Sequence, residues 1–398
     1  MIYIYRPLYV LAKFIFLNLS FVLPDFLRNW LKRRSVDFDL LVPLRTKSIW
    51  FHAASGEIEY VKNIIIEIKK NNPNQKIVLT YSSPSIEKLL HNIKDYLDLM
   101  IPLPWDQPGP IKKLIVILNP STLVFAKTDF WPELLHQARQ AHVRCGVVSF
   151  ALNLKPYPSF SQKWILKKLQ FIFVSDGSTA VKLKNVGIDS TVAADTRFDQ
   201  VFYRLEQPSK FNYTFPKPLI TFGSTWPEDD LVLIQALPHF LKNGFQIVWC
   251  PHDVGNDSLL KLKNQLKDFN FMVYSSLTSS PEIKTDILII DQVGLLADVY
   301  RQSSVAFIGG SFKEKIHSVM EALCAGNIVF FGPYFQNNSE AIEFSELKLA
   351  FSFKTAEQFL EGIRSIDTNS RTEMQVKMRS LTSKKKGSSK KIADYLLT

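Results

Sequence analysis

The sequence is poor in the features that commit a chain to a metal, a disulfide framework or a nucleoside triphosphate. Its three cysteines, Cys145, Cys250 and Cys324, are isolated and odd in number, which fits a reducing cytoplasm and excludes a disulfide scaffold. There is no Cys–His metal spacing and no HExxH pair. Two histidines, His252 and His317, make a poor metal site without a third ligand. GxxxxGK[ST] is absent, which argues against a P-loop nucleotidase. No helix–turn–helix, RNP or zinc signature supports nucleic-acid binding. No uncharged run reaches the roughly 18–20 residues needed to cross a bilayer. Repeats and long low-complexity segments are missing as well.

What is present is a chain of 398 residues, too long for one ordinary core, so two domains of similar size are expected. With 46% hydrophobic and 21% charged residues, the bulk should be globular. The net charge of +11 suits a polyanionic partner: nucleic acid, an acidic membrane surface or a phosphorylated substrate. The N-terminal MIYIYRPLYVLAKFIFLNLSFVLPDFLRNWLKRR is apolar and aromatic, broken by Arg6 and Lys13, and closes on Arg28, Lys32, Arg33 and Arg34. VLPDF offers no small-residue cleavage site for a secretory signal. Residues 1–35 fit a monotopic anchor lying in a membrane interface. The alternative is a helix packed on the protein's own core.

From residue 48 short apolar runs alternate with helical stretches. KSIWF, KIVLTYS, LDLMIPL, STLVFAK, RCGVVSF, FIFVSD and DSTVAA read as buried strands of parallel βαβ units. The polar, proline-bearing LEQPSKFNYTFPKP then breaks the pattern, and the linker is placed at 206–218. PLITFGS, FQIVWCP, FMVYSS, TDILIID, SVAFIGG, NIVFFGP and LAFSF restart it. Two doubly wound α/β domains are expected, 36–205 and 219–375, facing a cleft, with a basic tail over 376–398. Such a tail is usually only solvated, though it could add attraction to anionic lipid. Ligands of such folds sit at the carboxyl ends of the strands, where the informative loops cluster.

Each loop alone is weak. In HAASGE (52–57), Glu57 either caps a helix or acts as a base. Ser224-Thr225 and Gly310-Ser311 precede helical stretches; each pair either cradles a phosphate on N–H groups and hydroxyls or is an ordinary N-cap. His317 and Glu321, four apart, would share one helix face; the carboxylate could bridge two ribose hydroxyls, or the two could form a surface ion pair. Further loops are KTDFWPE (127–133), DTRFD (195–199), CPHD (250–253), DQVGLLADVY (291–300) and GGSFKEKIHSVMEALCAG (309–326).

As an ordered set these loops resemble the Kdo (3-deoxy-D-manno-octulosonic acid) transferases of Gram-negative lipopolysaccharide synthesis, from about residue 45 to 345. HAASGE is similar to the family's His-Ala-x-Ser-x-Gly-Glu loop and KTDFWPE to its Lys-Thr-Glu-Leu-Trp-Pro block. DTRFD, GST, PHD, VGLL with ADV, and GGSF…H…E…GP follow in family order. The resemblance implies a GT-B-type, metal-independent glycosyltransferase on the cytoplasmic face of the inner membrane. It would move Kdo from CMP-Kdo to a lipid A precursor of lipid IVA type, with inversion and with no cofactor beyond the donor substrate. Glu57 would be the general base, with Asp129 and Arg197 at transition-state-stabilising positions. Ser55, Gly56 and Lys127 are carried over as substrate-binding. CMP would be held by Pro251, His252, Val293, Gly294 and Leu295, and by Ser318, Val319, Met320 and Glu321, with Ser224, Thr225, Gly310, Ser311 and His317 beside it. An inverting transfer needs one base and stabilisation of charge on the departing phosphate, and a positive chain suits a phosphorylated acceptor on an anionic membrane surface.

The pattern also departs from the family. Ser-Gly-Glu is one residue shorter than Ser-x-Gly-Glu, and Asp129 stands for the commoner Glu. CPHD lacks the arginine of Pro-Arg-His, and Ser318 replaces the Asn of Gly-Gly-His-Asn. ALNLKPYPSF lacks the arginine of Ala-Arg-Leu-Ser. Two other readings stand beside the transferase: a non-catalytic homologue that binds lipid or protein, and a GT-B enzyme using another nucleotide sugar.

Overall fold

The computed structural model describes residues 1–19, 28, 31, 34, 36–83, 86, 89, 93–152, 155–277 and 281–398. Part of the expected anchor (20–27, 29, 30, 32, 33 and 35) lies outside them. The described chain forms two compact units, residues 1–199 with 387–398, and residues 200–386.

The first unit is built on a seven-stranded parallel sheet. Its strands are β1 (Ser48–Ala53), β2 (Lys76–Tyr81), β3 (Leu99–Pro102), β4 (Pro120–Ala126), β5 (Arg144–Phe150), β6 (Phe171–Val174) and β7 (Thr191–Val192), in the order β3-β2-β1-β4-β5-β6-β7. Alternate residues face opposite layers. Trp50, Val78, Leu123, Phe125 and Val147 pack into one core, and Ile49, Phe51, Leu79, Val124 and Val148 into the other. Helices Pro108–Leu118 and Pro132–Gln140 both begin on proline, whose fixed φ suits a first helical turn and whose missing N–H is not needed there.

The second unit repeats the plan with β8 (Leu219–Thr225), β9 (Gln246–Pro251), β10 (Phe271–Val273), β11 (Ile287–Ile289), β12 (Val305–Ile308), β13 (Ile328–Phe331) and β14 (Ala350–Ser352). Their order is β10-β11-β9-β8-β12-β13-β14, all parallel. The direction of strand addition reverses between β1 and β4 in one sheet and between β8 and β12 in the other. In doubly wound sheets the loops diverge at such points and leave a crevice at the carboxyl ends.

Segment 206–218 is packed into the second unit: Phe211 is buried against Tyr213, Phe215 and Tyr274, and Thr214 bridges Glu282. The end of the chain forms helices Thr368–Ser383 and Ser388–Leu397. The last of these belongs to the first unit, where Ile392, Ala393 and Leu396 enter the core beside Ile64, Ile65 and Ile68. Asp199 of DTRFD caps its start, accepting from the Gly387 and Ser389 N–H groups at 2.5 and 2.7 Å. The lysines of this stretch hide an apolar face made of only a few side chains.

The N-terminal helix Ile2–Asn18 turns its polar side chains inward. Arg6 grips Glu133 with two bonds of 2.8 and 2.9 Å, Tyr5 donates to Asp106 at 2.7 Å, and Lys13 donates to Gln107 at 2.7 Å. Tyr3, Ile4, Leu8, Leu11, Phe14 and Ile15 point outward and are exposed. The helix thus docks on its own protein through these polar bonds and the Tyr9 ring, which packs on Trp105 and Trp131, and its apolar side chains on the other face are exposed. No helix among the described residues is long and apolar enough to cross a membrane.

Candidate functional site

In the first unit the strand-end loops meet around two buried hubs. His52, at the end of β1, faces Thr80 with Nδ1 at 2.8 Å and Asp129 with Nε2 at 2.9 Å. Thr80 Oγ1 also accepts the Trp50 indole N–H at 2.8 Å. Nε2–H of His52 donates to Asp129, and Nδ1 pairs with the Thr80 hydroxyl. Burial alone would raise the Asp129 carboxyl, but the bonds from His52 and from Ser82 (3.2 Å) outweigh it and hold Asp129 below the usual carboxylate range. Asp129 is thereby a fixed negative charge.

The second hub is Tyr60, at the end of the 3₁₀ turn Gly56–Tyr60. Lys127 Nζ donates to its hydroxyl at 2.8 Å, and the Arg197 guanidinium lies over its ring at 4.4 Å. Thr196 donates to its carbonyl at 2.6 Å. Arg197 is also paired with Asp195 at 2.8 Å. Lys127, Ser149 and Ala194 adopt positive φ values of 57°, 55° and 62° at or just past strand ends. Side-chain-bearing residues in the left-handed region store strain of order 1 kcal/mol or more each, and such residues gather at functional sites. Glu57 is half-buried inside the 3₁₀ turn, and its Oε2 accepts the Ser55 N–H at 3.1 Å. Gly56 is exposed, and a Cβ there would meet nothing. Glu57 thus caps its own turn with one oxygen.

In the second unit Ser224, at φ 55°, ends β8 beside the Gly309-Gly310 loop. A Cβ on Gly309 would lie 2.2 Å from the Ser224 carbonyl, so only glycine permits this approach. Fully buried Asp229 joins the two loops by accepting N–H groups from Trp226 (2.8 Å), Gly310 (2.7 Å) and Phe312 (3.1 Å). Thr225 is buried and accepts the Trp249 indole N–H at 2.9 Å. Asp230, bonded to the same indole, is pushed up by burial to about 7. The Ser311 hydroxyl donates to Ile308 and accepts from Gly332, tying the ends of β12 and β13 together.

His317 and Glu321 do not share a helix face. The helix begins only at Met320, because the Gly310 carbonyl turns residues 313–315 and Asn337 and Asn338 bond the backbone of Ile316 and His317 outside any helix. His317 instead accepts the Trp226 indole N–H on Nε2 at 2.8 Å and stacks on His252 at 4.4 Å. Burial, with His252 and Lys315 nearby, pushes its pKa down to about 4. With Nε2 occupied, neutral His317 carries its proton on Nδ1 as a donor. The two imidazoles stack and do not aim lone pairs at one point, and no group of three ligating side chains among the described residues could hold a metal.

Glu321 pairs with Arg204 at 3.1 Å, and Arg204 also donates to the Gly294 carbonyl at 2.6 Å. Gly294 has φ 90°, with exposed Val293 before it and buried Leu295 after it. Ser318 is exposed, while Val319 and Met320 send their side chains into the core. A cavity of about 430 Å³ opens beside Thr225, Trp226 and Pro251, bounded further by Asp253, Lys261 and Lys313. Asp229, Tyr60, Trp226 and Arg204 escaped the sequence reading. Asp229 alone had a local signal, as an acidic residue in the first turn of a helix that starts on proline.

Two parallel doubly wound sheets with polar loops at their switch points make a GT-B-type fold. MurG of Acinetobacter baumannii superposes with TM-score 0.60 at 12% identity, covering 87% of this chain and 98% of that one, a likeness of fold. Residues 28–200 match the family model described as 3-deoxy-D-manno-octulosonic-acid transferase (kdotransferase). Over that segment the chain resembles this family, and curated 3-deoxy-D-manno-octulosonic acid transferases match most of its length. It is 24% identical to the 3-deoxy-D-manno-octulosonic acid transferase of Aquifex aeolicus, over 75% of this chain and 80% of the relative. It is also 24% identical to a bifunctional glycosyltransferase/methyltransferase of Fusobacterium nucleatum, over 87% of this chain. The chain spans only about half of that relative's length, 56%.

Proposed function

We propose that the protein transfers Kdo from CMP-Kdo to a phosphorylated lipid A precursor of lipid IVA type, with inversion and without a metal. The observation that carries this reading is the gathering of the family's motif residues at the carboxyl ends of β1, β4, β8 and β12. The first unit would receive the acceptor and the second the donor nucleotide. Glu57 takes the proton of the acceptor hydroxyl. That oxygen bonds to the anomeric carbon as the bond from that carbon to the CMP phosphate oxygen breaks, and CMP leaves as an anion that needs little acid catalysis. Asp129 and Arg197 would stabilise charge in the transition state, supported by the rigid contacts of His52 and Tyr60. Neutral His317 would offer its Nδ1–H to the nucleotide, and Glu321 would accept the ribose hydroxyls.

The outward apolar face of helix Ile2–Asn18 supports work at an anionic membrane surface. It would bring the active unit to a lipid acceptor on the cytoplasmic face of a Gram-negative inner membrane. Purified protein incubated with CMP-Kdo and tetraacylated lipid A precursor should release CMP and a Kdo-bearing lipid. Binding of either substrate with no CMP release would support a non-catalytic homologue. Thermal stabilisation by UDP or GDP and not by CMP would support another nucleotide sugar.

A further inference from the structure

We propose that Arg204 is the positioning residue of the nucleotide pocket, fixing the Glu321 carboxylate while locking the Gly294 loop; this rests on the CMP reading above. Arg204 lies in the last turn of helix Arg197–Glu206. Its two terminal nitrogens reach two different walls of the proposed pocket: Nη1 to Glu321 Oε1 at 3.1 Å and Nη2 to the Gly294 carbonyl at 2.6 Å. A planar fork can satisfy both at once, whereas a lysine ammonium on a flexible stem reaches only one reliably.

The helix end that presents Arg204 is itself held. Arg301 donates to the carbonyls of Arg204 (2.6 Å) and Gln207 (2.9 Å) and pairs with Asp298 at 3.3 Å. The guanidinium is therefore braced from the segment that follows helix Leu296–Tyr300.

Glu321 needs such a partner. Burial raises its carboxyl and the Asp298 carboxylate raises it further, with the Tyr300 hydroxyl and the Cys324 thiol also beside it; Arg204 is the cation that opposes them. A protonated Glu321 would lose much of its capacity to accept hydroxyl protons, and an ionised one keeps acceptor sites beyond the one Arg204 uses. CPHD lacks the arginine expected beside the nucleotide, and Arg204 presents a guanidinium to Glu321 and Gly294 from a helix outside that motif.

The test is calorimetric titration of the full-length protein with CMP from pH 5 to 8.5, for wild type, R204A, R204K, E321Q and R204A/E321Q. R204A should bind about tenfold more weakly at pH 7.5, as expected for loss of a charge-assisted bond. The ratio of wild-type to R204A affinity should widen as pH drops, since both proteins share the titration of the CMP phosphate and only R204A has lost the cation beside Glu321. R204K should recover the wild-type pH dependence without the full affinity. In the E321Q background R204A should add less than its full effect. Unchanged CMP affinity in R204A, or additive effects of R204A and E321Q, would overturn the proposal. If wild type binds no CMP, the donor reading fails by itself. Carbon-13 titration of the Glu321 carboxyl in the nucleotide-free protein then decides about Arg204: a higher midpoint in R204A upholds its hold on Glu321, and an unmoved midpoint overturns it.

Discussion

Replacing Asp229 should separate the architecture of the nucleotide loops from their chemistry. The carboxylate is fully buried and accepts three backbone N–H groups, two on Oδ2 and one on Oδ1. Asp229→Ala removes all three acceptors and leaves the Gly310 N–H buried and unpaired. At about 1–3 kcal/mol per orphaned buried donor, the gross loss is on the order of 5 kcal/mol. Burial raises the Asp229 carboxyl even with these bonds in place, so removing the charge returns part of that loss. The net destabilisation should be about 3–4 kcal/mol. Asp229→Asn can keep its amide oxygen at the Oδ2 position, retaining Trp226 and Gly310 while setting an NH₂ group against the Phe312 N–H. Its cost should be about 1–2 kcal/mol. Urea unfolding, followed through the tryptophans of the second unit, reads both values, and CMP affinity should fall in the same order. A stable D229A protein, or D229N as damaging as D229A, would refute the reasoning.

Three further outcomes are expected. Burial pushes Asp106 up to about 6 although it accepts from Tyr5, Glu133 N and Leu134 N. The folded state therefore binds this proton more tightly than the unfolded chain, and the contribution, on the order of 3 kcal/mol, is full below about pH 4 and lost as pH rises through about 6. Asp106→Asn should flatten that part of the stability–pH curve; an unchanged curve would refute the assignment. Proton NMR of His317 should give a midpoint near 4, and a midpoint near its ordinary value would show that its ring is not held as described. Ile4→Asp with Leu8→Asp and Leu11→Asp should abolish sedimentation with anionic vesicles while leaving CMP affinity intact, and retained sedimentation would remove the N-terminal helix from the membrane reading.

The strands were legible because parallel sheets buried on both faces need continuous β-branched and aromatic runs, and SIWF, IVLTY, LVFA and VAFI are such runs. The strand-end loops were legible through their ordered motifs. What the sequence hid depends on long-range pairing. Nothing local says that Arg204 will find Glu321, that Asp106 will cap a helix starting at Pro132, or that Tyr60 will collect Lys127 and Arg197. The helix expected to join His317 to Glu321 failed for a similar reason, since side-chain amides from Asn337 and Asn338 take up that backbone's hydrogen bonds. In the N-terminal segment, composition signalled an interface, but only the structure shows that Tyr5, Arg6 and Lys13 form the docked side.

Glu57 caps its own turn with one oxygen, and as general base the same carboxylate would take the proton of the acceptor hydroxyl. The most direct measurement is CMP release by Glu57→Gln, supplied with CMP-Kdo and tetraacylated lipid A precursor beside wild type. The amide oxygen can still accept the Ser55 N–H, so the turn and CMP binding should persist while turnover falls by at least about 10²-fold. Turnover near the wild-type rate, with CMP bound normally, would contradict the general-base role.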